Sequence, residues 1–474
     1  MTLVQILVFA LFSGLVGWLV PVRLKTSLLL VGSVIAVYWL QPSSSIRNLD
    51  FWLPTASIAL TISTWAITQP RQSPDRRYNL AIIGATLGMI LAIALTRYID
   101  PICCLTATRP PQFPQVFLAI GFIAGISLAL YLLKPSNRLL AWGGIIVIIS
   151  VFIILKYEPL AATANAGLRK LNQQDPALAN ATDIAWLGFS YLAFRLIHTL
   201  RDFQAGRLPN YRLDEYLTYV LFYPALTAGP IDRSQRFIQK DLPAKTTPSD
   251  RLQAVERILI GVFKKFAIAD SLALISLNQA HLGQVNSTVW LWVLLYAFAL
   301  RIYFDFSGYT DIAIGIGMFA GIRLPENFSN PYLKTNITAF WNSWHITLAQ
   351  WFRSYVFNPL ARSLRLSPRH FPAWSIILAA QTLTMLLIGL WHGITWSFAI
   401  WGLWHALGLF IHNRWSEWLR PRLAGADSWG IGARAALALG GWLVTFNYVV
   451  LGWVWFALPQ PAQAIKAFRM LFGG

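Results

Sequence analysis

Long apolar runs dominate the first third of the chain. Six runs joined by short connections lie between residues 1 and 157, with Gly and Ala scattered along them. A helix needs about 20 mostly apolar residues to cross ~30 Å of hydrocarbon, and small residues let such helices pack closely. The pattern predicts six membrane helices that form a scaffold, with the clearest runs at residues 51–69, 78–96, 115–133 and 139–155.

Residues 158–182 interrupt this pattern. They contain Ala, Asn, Gln, Asp and Pro without an apolar run, which predicts a loop. A seventh span follows, from residue 184 to about residue 200, and it contains Arg195 and His198. Charged groups at membrane depth are costly and usually face a cavity or a partner. We therefore expect any chemistry to lie beyond this point.

The second half has shorter apolar runs, which Pro and Gly break. Irregular backbone at membrane depth is tolerated only where protein or water satisfies its polar groups. The sequence therefore predicts an all-α polytopic fold of about 11–13 helices that span or re-enter the membrane. Residues 459–474 are expected to form a C-terminal tail. The breaks lie at residues 222–224, 228–231, 324–327 and 330–332.

Composition supports membrane residence, and the charge pattern predicts an orientation. Hydrophobic residues make up 56% of the chain and charged residues 12%, whereas about 25% are charged in a soluble domain. The net charge of +19 lies in short clusters between apolar runs, such as Arg23 with Lys25, as the positive-inside rule expects. We therefore expect no nucleic-acid partner. The same rule predicts a cell (inner) membrane protein with its N-terminus and residues 158–182 outside and residues 201–245 in the cytoplasm.

Two further features concern processing and redox state. Residues 1–20 lack a basic n-region and a small-residue cleavage site, which predicts a retained first helix rather than a removed signal peptide. Cys103 and Cys104 are adjacent, and neighbouring cysteines bridge only with strain, so ordinary thiols are expected.

The first candidate for chemistry is the segment 301–311. Arg301 and Asp305 are four residues apart, as are Ser307 and Asp311, so each pair would share a helical face. One interpretation is a polar wall that lines a substrate cavity. The other is a structural ion pair, with Ser and Asp capping a broken helix. Spacing alone favours the second.

The second candidate is an aromatic stripe that contains His345. Positions 341, 344, 345, 348, 352 and 355 recur at helical spacing. A histidine in such a stripe is more often a hydrogen-bonded packing residue than a catalyst. A helix that lies in the headgroup region is a further alternative, because Trp and Tyr also mark membrane interfaces.

The third candidate is His392, which follows the apolar run 373–390 and precedes Gly393, a residue that permits a turn. Histidine accepts a proton near neutral pH without a large pKa shift, and a general base contributes ~10²–10⁴-fold in rate. A buried histidine bonded to a backbone carbonyl explains the residue equally well. The sequence has no phosphate loop, dinucleotide fingerprint or zinc-helix histidine pair, so we expect no metal site and no bound cofactor.

Together these segments resemble the signature motifs of the membrane-bound O-acyltransferase (MBOAT) family. The matching branch is bacterial and includes alginate O-acetyltransferases and the D-alanyl transfer protein of teichoic acid modification. The resemblance extends in order from about residue 187 to residue 456 and identifies residues 183–458 as the catalytic core. Its motifs are YFDFSGYTDIAIG at 303–315, LPENF at 324–328, NPY at 330–332, FWNSWHITL at 340–348 and LWHG at 390–393, with further matches at 222–224, 228–233, 261 and 264–265.

The resemblance implies an activity and a site. In this family the residue that matches His392 is catalytic, and the one that matches His345 is the second essential position. A ring of helices surrounds a central funnel, and an acyl thioester donor, acetyl-CoA or an acyl carrier, arrives from the cytoplasmic side. The implied substrate-lining residues are Asn342, Trp341, Trp344, Trp391, Asp305, Ser307, Asp311 and Asn327.

The expected function is transfer of an acyl group, most simply acetyl, to a hydroxyl of an extracytoplasmic polysaccharide or cell-envelope polymer. His392 would take the hydroxyl proton, and His345, Asn342 or Trp indoles would stabilise the oxyanion. Membrane lipids and an extracytoplasmic partner acyltransferase are the other expected partners.

Departures from the family pattern leave the acceptor open. Ser354 stands where Asp is usual, and residues 189–195 follow a less common variant. A lipid or peptidyl acceptor is therefore an alternative. A transporter or flippase without covalent chemistry is an alternative of another class, since Arg195, Asp305 and Asp311 also suit a transport path.

Overall fold

The computed structural model describes residues 1–69, 75–99, 104–133, 138–419, 421–422 and 430–474, and every regular element in these ranges is helical. Seven of the described helices are long and apolar enough to cross a membrane: Val22–Leu40, Arg76–Tyr98, Phe113–Tyr131, Arg138–Lys156, Thr288–Phe319, Ala373–His392 and Ile431–Ala457. A shorter apolar helix covers Leu3–Leu19. The prediction of an all-α, multi-pass membrane fold is confirmed.

The chain divides into two compact units, residues 1–258 with 312–325 and residues 259–311 with 326–474. The α-helices up to residue 262 are α1 Leu3–Leu19, α2 Val22–Leu40, α3 Leu49–Thr68, α4 Arg76–Leu95, α5 Phe113–Leu133, α6 Arg138–Lys156, α7 Glu158–Leu171, α8 Phe189–Gln204, α9 Leu213–Leu221, α10 Ser234–Arg236 and α11 Pro248–Val262. The six predicted N-terminal runs therefore form α1–α6.

The remaining α-helices are α12 Asp270–Ala273, α13 Gln279–Gln284, α14 Thr288–Phe319, α15 Ile337–Trp341, α16 Ile346–Phe352, α17 Asn358–Arg365, α18 Ala373–His392, α19 Trp396–Leu419, α20 Ile431–Ala457 and α21 Pro461–Leu471. Three π-helical stretches, Phe237–Asp241, Phe263–Ala269 and Arg353–Phe357, adjoin α10, α11 and α16. The C-terminal residues that the sequence set apart as a tail thus include a helix.

Part of the segment predicted as a loop, residues 158–182, is helical because α7 occupies Glu158–Leu171. This helix has an acidic residue in its first turn and Arg169 in its last, which complements the helix dipole. Two of its three buried residues are polar: Arg169 Nε donates to Asp183 Oδ2 at 2.8 Å, and Asn165 donates to the carbonyl of Asn180. A helix that packs partly through polar groups does not need a long apolar run.

The predicted seventh span, residues 184–200, corresponds to α8 at Phe189–Gln204, which is not among the seven candidate spans of the described residues. The Arg195 guanidinium is buried and donates to the carbonyls of Val220 and Ala225, each at 2.8 Å. These carbonyls lie where α9 ends and Pro224 follows, so their usual helical donors are missing. Arg195 therefore stabilises the break in the helical backbone after α9.

One expectation about cysteine chemistry is wrong. Cys104 is disulfide-bonded rather than an ordinary thiol. Cys103 lies outside the described residues, as do Arg71 and Lys134, two further basic residues between apolar runs that support the predicted orientation.

Candidate active site

The backbone at His345 interrupts the aromatic stripe that the sequence predicted as one helix. α15 ends at Trp341 and α16 begins at Ile346, and His345 itself lies in the left-handed region with φ 42° and ψ 54°. The expectation of a continuous stripe from 341 to 355 is therefore wrong. An L-residue in this conformation costs roughly 1–2 kcal/mol, so other contacts must hold it in place.

Asn327 provides those contacts. Its carbonyl accepts from the Ile346 N–H at 2.9 Å, and its Oδ1 accepts from the Thr347 hydroxyl at 2.6 Å. Asn327 is fully buried and thereby fixes the first turn of α16, directly after His345. The structure gives this residue a positioning role, and direct contact with substrate stays a prediction.

The imidazole of His345 is buried among aromatic rings. Its exposure is 3%, and neither ring nitrogen has a hydrogen-bond partner among the described residues. The rings of Phe306 and Trp391 lie edge-on to it, with centroids at 4.7 and 6.1 Å. A buried polar group without a partner costs about 1–3 kcal/mol and calls for an explanation in a native protein. Binding of a substrate at this imidazole is one such explanation.

His392 is the last residue of α18 and is half-buried. The Trp391 ring lies 4.6 Å from its imidazole, and since Trp391 also contacts His345, one indole touches both histidines. Phe456 packs against the other side of His392, with centroids 4.8 Å apart. The two histidines that the sequence singled out are thus brought together around one tryptophan.

Gly393 is needed for space rather than for a left-handed backbone conformation. Its φ of 178° is extended backbone that any residue adopts. A Cβ at this position would lie 2.9 Å from Cε2 of Phe398, the ring that also stacks on His392 at 5.8 Å. The chain does turn here, as expected, because residues 393–395 connect α18 to α19, and at Gly393 it turns without a left-handed backbone.

A third histidine, His405 of α19, belongs to the same cluster, and the sequence reading did not include it in the site. It is fully buried, and both ring nitrogens lack partners among the residues that the structure describes. The rings of Trp401 and Trp341 lie 4.9 and 5.2 Å from it. His405 lies four residues after Trp401, and this helical spacing is the feature of the sequence that could have placed it beside the tryptophan. We refer to these six residues as the histidine–tryptophan cluster: His345, His392, His405, Trp341, Trp391 and Trp401.

A cavity of about 320 Å³ adjoins this cluster through Trp341. Asn342 also lines it, and Arg353 holds that side chain by donating from Nη2 to Asn342 Oδ1 at 2.8 Å. Trp344 instead packs in the aromatic core, with ring centroids 5.1 Å from Trp453 and 5.6 Å from Tyr332. Of the predicted lining residues, Trp341 and Asn342 therefore face an accessible space.

The acidic residues of α14 pair with lysines rather than with Arg301. Lys264 Nζ lies 2.7 Å from Asp311 Oδ2, and Lys265 pairs with Asp305. Arg301 donates to the Ser276 hydroxyl at 2.9 Å. α14 runs unbroken over 32 residues, so the expected capping of a broken helix is wrong.

Ser307 lies buried one turn before Asp311, and its hydroxyl has no hydrogen-bond partner within the described part of the chain. Its role in lining substrate stays a prediction.

The cluster can exchange protons and donate hydrogen bonds. A neutral imidazole offers one donor and one acceptor, and each indole offers one N–H. The described residues contain no group of three or more His, Cys, Asp or Glu side chains arranged to hold a metal ion. The imidazoles and indoles of the cluster supply bases and hydrogen-bond donors in a largely apolar surrounding, where electrostatic stabilisation is strong.

Comparison with known proteins places the cluster within a family region. A family model described as MBOAT, membrane-bound O-acyltransferase family, matches residues 143–451. This region contains all six members of the histidine–tryptophan cluster.

Three relatives of known name illustrate the similarity. The chain is 32% identical over 287 residues to the "Probable alginate O-acetylase AlgI" of Pseudomonas aeruginosa, covering 60% of this chain and 51% of that protein. It is 28% identical over 351 residues to the "Teichoic acid D-alanyltransferase" of Bacillus subtilis, covering 72% and 82%. It is 33% identical over 279 residues to the "Peptidoglycan O-acetyltransferase" of Helicobacter pylori, covering 55% and 46%. The chain thus matches about half the length of the first and third.

Proposed function

Because this chain belongs to the membrane-bound O-acyltransferase family, we propose that it transfers an acyl group, acetyl in the simplest case, from a thioester donor to a hydroxyl of an extracytoplasmic polysaccharide or other cell-envelope polymer. The observation that carries the proposal is the meeting of His345 and His392 around Trp391, inside the matched region. The named relatives support the acceptor class, since their names specify alginate, teichoic acid and peptidoglycan.

In the proposed reaction the half-buried imidazole of His392 takes the proton of the acceptor hydroxyl. The hydroxyl oxygen attacks the thioester carbonyl carbon, and the carbonyl oxygen becomes an oxyanion. The carbon–sulfur bond then breaks, the ester remains on the acceptor, and the thiolate leaves with the proton from His392. A general base of this kind contributes ~10²–10⁴-fold, and the buried N–H of His345 is available to stabilise the oxyanion.

The test supplies membranes that contain the protein with labelled acetyl-CoA or a labelled acyl carrier thioester. We expect label in a glycan or envelope-polymer fraction, with near-complete loss in His392→Ala and a loss of at least tenfold in His345→Asn. Asparagine tolerates left-handed backbone, so this change removes the imidazole with little strain. His370→Asn is a matched control because His370 is exposed and also has a positive φ, 46°. Full labelling in His392→Ala at normal protein level would refute the assigned role.

Fractionation of the labelled products identifies the acceptor and shows whether a second protein completes the transfer. Label in lipid or protein rather than polymer would favour the lipid or peptidyl acceptor. Label that reaches polymer only when a second extracytoplasmic protein is present would establish that a partner acyltransferase completes the transfer.

A transporter without covalent chemistry is less well supported by the contacts. Arg195 donates to backbone carbonyls, and Asp311 is ion-paired with Lys264, so these two charges have structural partners. A transporter would move its cargo undiminished in His392→Ala, whereas an acyltransferase would lose acylation.

We also propose a cytoplasmic-membrane location with the N-terminus outside and residues 201–245 in the cytoplasm, on the basis of the basic clusters between apolar runs. Lys240 is exposed and offers a test site. In the proposed orientation a membrane-impermeant maleimide labels Lys240→Cys only after the cells are opened, with the parent chain as background. Labelling in intact cells would reverse the orientation.

A further inference from the structure

A second cavity, of about 590 Å³, lies in the N-terminal unit at the turn between α1 and α2. Residues 16–23 form one wall, and Ala244, Thr246 and α11 form the other. Four of the residues that line it are cationic and none of the described lining residues is acidic: Arg23, Lys25, Lys245 and Arg251. We call this cavity the cationic pocket.

Lys25 is the deepest of these cations. It is 3% exposed, and its Nζ donates to the carbonyl of Ala244 at 2.8 Å. Gly321, which has a φ of +74°, approaches so closely that a Cβ there would lie 2.9 Å from the Nζ atom. An ammonium has three donors, and its burial is costly unless an opposite charge or acceptors compensate.

The acidic residues around the pocket are engaged elsewhere. Asp241 interacts electrostatically with Lys25, but its carboxylate lies 3.4 Å from Nη1 of Arg236. Asp250 pairs with Arg323 at 2.7 Å. The pocket therefore keeps an excess of positive charge.

Arg251 supplies a second binding group. Its guanidinium lies 5.0 Å above the Trp18 ring, and its Nε is buried without a hydrogen-bond partner among the described residues. Contact with an aromatic ring restricts the guanidinium, and its fork of N–H donors suits the paired oxygens of a phosphate.

The walls of the pocket are preorganised. The Thr246 hydroxyl donates to the Gly17 carbonyl at 2.9 Å, and a Cβ on Gly17 would lie 2.0 Å from the Phe319 carbonyl oxygen. Glycine is therefore required at position 17 for the backbones to approach. A solvated cluster of the positive-inside type would need neither this close packing nor a buried lysine.

From these contacts we infer that the cationic pocket binds a phosphate group. α1 ends at Leu19 and α2, a candidate span, begins at Val22, so the pocket lies where an apolar helix pair turns. Phosphates are present at that level as anionic lipid headgroups and, on the cytoplasmic side, as soluble phosphate esters. The inference does not depend on the acyl-transfer proposal, because no member of the histidine–tryptophan cluster lines the pocket.

The test uses the purified full chain in a neutral detergent. Native mass spectrometry measures retention of phosphatidylglycerol against phosphatidylcholine, and the thermal midpoint is followed with glycerol 1-phosphate or inorganic phosphate. Arg251→Gln should weaken binding at least tenfold, and Lys25→Met should do the same if the variant folds. Lys240→Gln is the matched control, since Lys240 is exposed, lies in the neighbouring segment and does not line the pocket.

The two arms distinguish the source of the phosphate. Selective retention of phosphatidylglycerol assigns a lipid headgroup, whereas stabilisation by glycerol 1-phosphate or inorganic phosphate assigns a soluble ligand. Equal weakening in Arg251→Gln and Lys240→Gln would mean that net charge alone attracts the anion and would overturn the inference. The absence of binding in both arms would overturn it as well.

Discussion

Gly389→Ala tests whether the spacing of α18 and α19 sets the position of the proposed base. A Cβ at this position would lie 2.2 Å from the Phe398 carbonyl oxygen and 3.4 Å from the Cα of Gly402. Both contacts are backbone atoms, which cannot rotate away. Ordinary van der Waals contact begins near 3.4 Å, so the two helices must separate by about 1 Å at this point. Small residues such as glycine allow the close approach of the two backbones in the parent chain.

The displacement would reach His392, which lies three residues further along α18. Its imidazole packs against Phe398 and Trp401 of α19, so separating the helices moves the base relative to its surroundings. A misplacement of about 1 Å costs ~10²-fold in rate. We therefore expect the transfer rate of Gly389→Ala to fall about 100-fold although every member of the histidine–tryptophan cluster is present.

The assay is the rate of label transfer per mole of folded protein, with folding followed by fluorescence-detected size exclusion and by the thermal midpoint. Gly440→Ala is the control, because Gly440 lies within α20 and a Cβ there meets nothing within 4 Å among the described residues. Gly393→Ala should lower the transfer rate less than Gly389→Ala does, because its Cβ would contact the Phe398 side chain, which can shift. If folded Gly389→Ala transfers label within twofold of Gly440→Ala, the reasoning from helix spacing is wrong.

Three further predictions concern buried polar groups. His405→Phe should raise the thermal midpoint, because it removes two buried nitrogens that have no hydrogen-bond partner among the described residues. It should also lower the transfer rate, and a rate equal to that of the parent chain would show that His405 only packs. Asp311→Asn should destabilise the protein more than Asp305→Asn, because the Asp311 carboxylate is buried and the Asp305 carboxylate is half exposed, whereas Lys264 and Lys265 are about equally covered. Equal losses of stability in denaturant titration would contradict this. Burial raises the pKa of Asp241 to about 6. The native state therefore favours the protonated acid, and this contribution is present below pH ~4 and lost as the pH rises through about 6. Asp241→Asn should accordingly raise the thermal midpoint at pH 8 and leave it unchanged at pH 4, and a reversed order would refute the sign.

The N-terminal helices were predictable because the apolar run within each helix is enough to indicate that helix. A run long enough to span the hydrocarbon must be helical there, whatever it packs against, and α1–α6 follow the six apolar runs. α7 was missed for the converse reason. Its buried side is held by Arg169 and Asn165, whose partners lie beyond its C-terminus, so no local apolar pattern marks it.

The site was predictable in its residues but not in its geometry. The Trp-His segments were recognisable from short stretches of sequence, yet the break before α16 depends on Asn327, 19 residues upstream of Ile346. The pairing of Asp311 with Lys264 spans 47 residues and depends on the π-helical turn that contains the lysine. Helical spacing predicts which residues of one helix share a face, but it does not predict which residues of different helices are in contact.

The left-handed backbone at His345 narrows the substitutions that this position can accept. In the proposed reaction a residue at this position must carry an imidazole and also tolerate a positive φ. Asparagine and glycine meet the second demand only, and the larger aromatic residues meet neither. Single changes are therefore expected to give either a strained loop or a well-folded chain without the ring. Directed evolution that aims to retune the site is thus more promising at neighbouring side chains such as Trp391 than at the histidine itself.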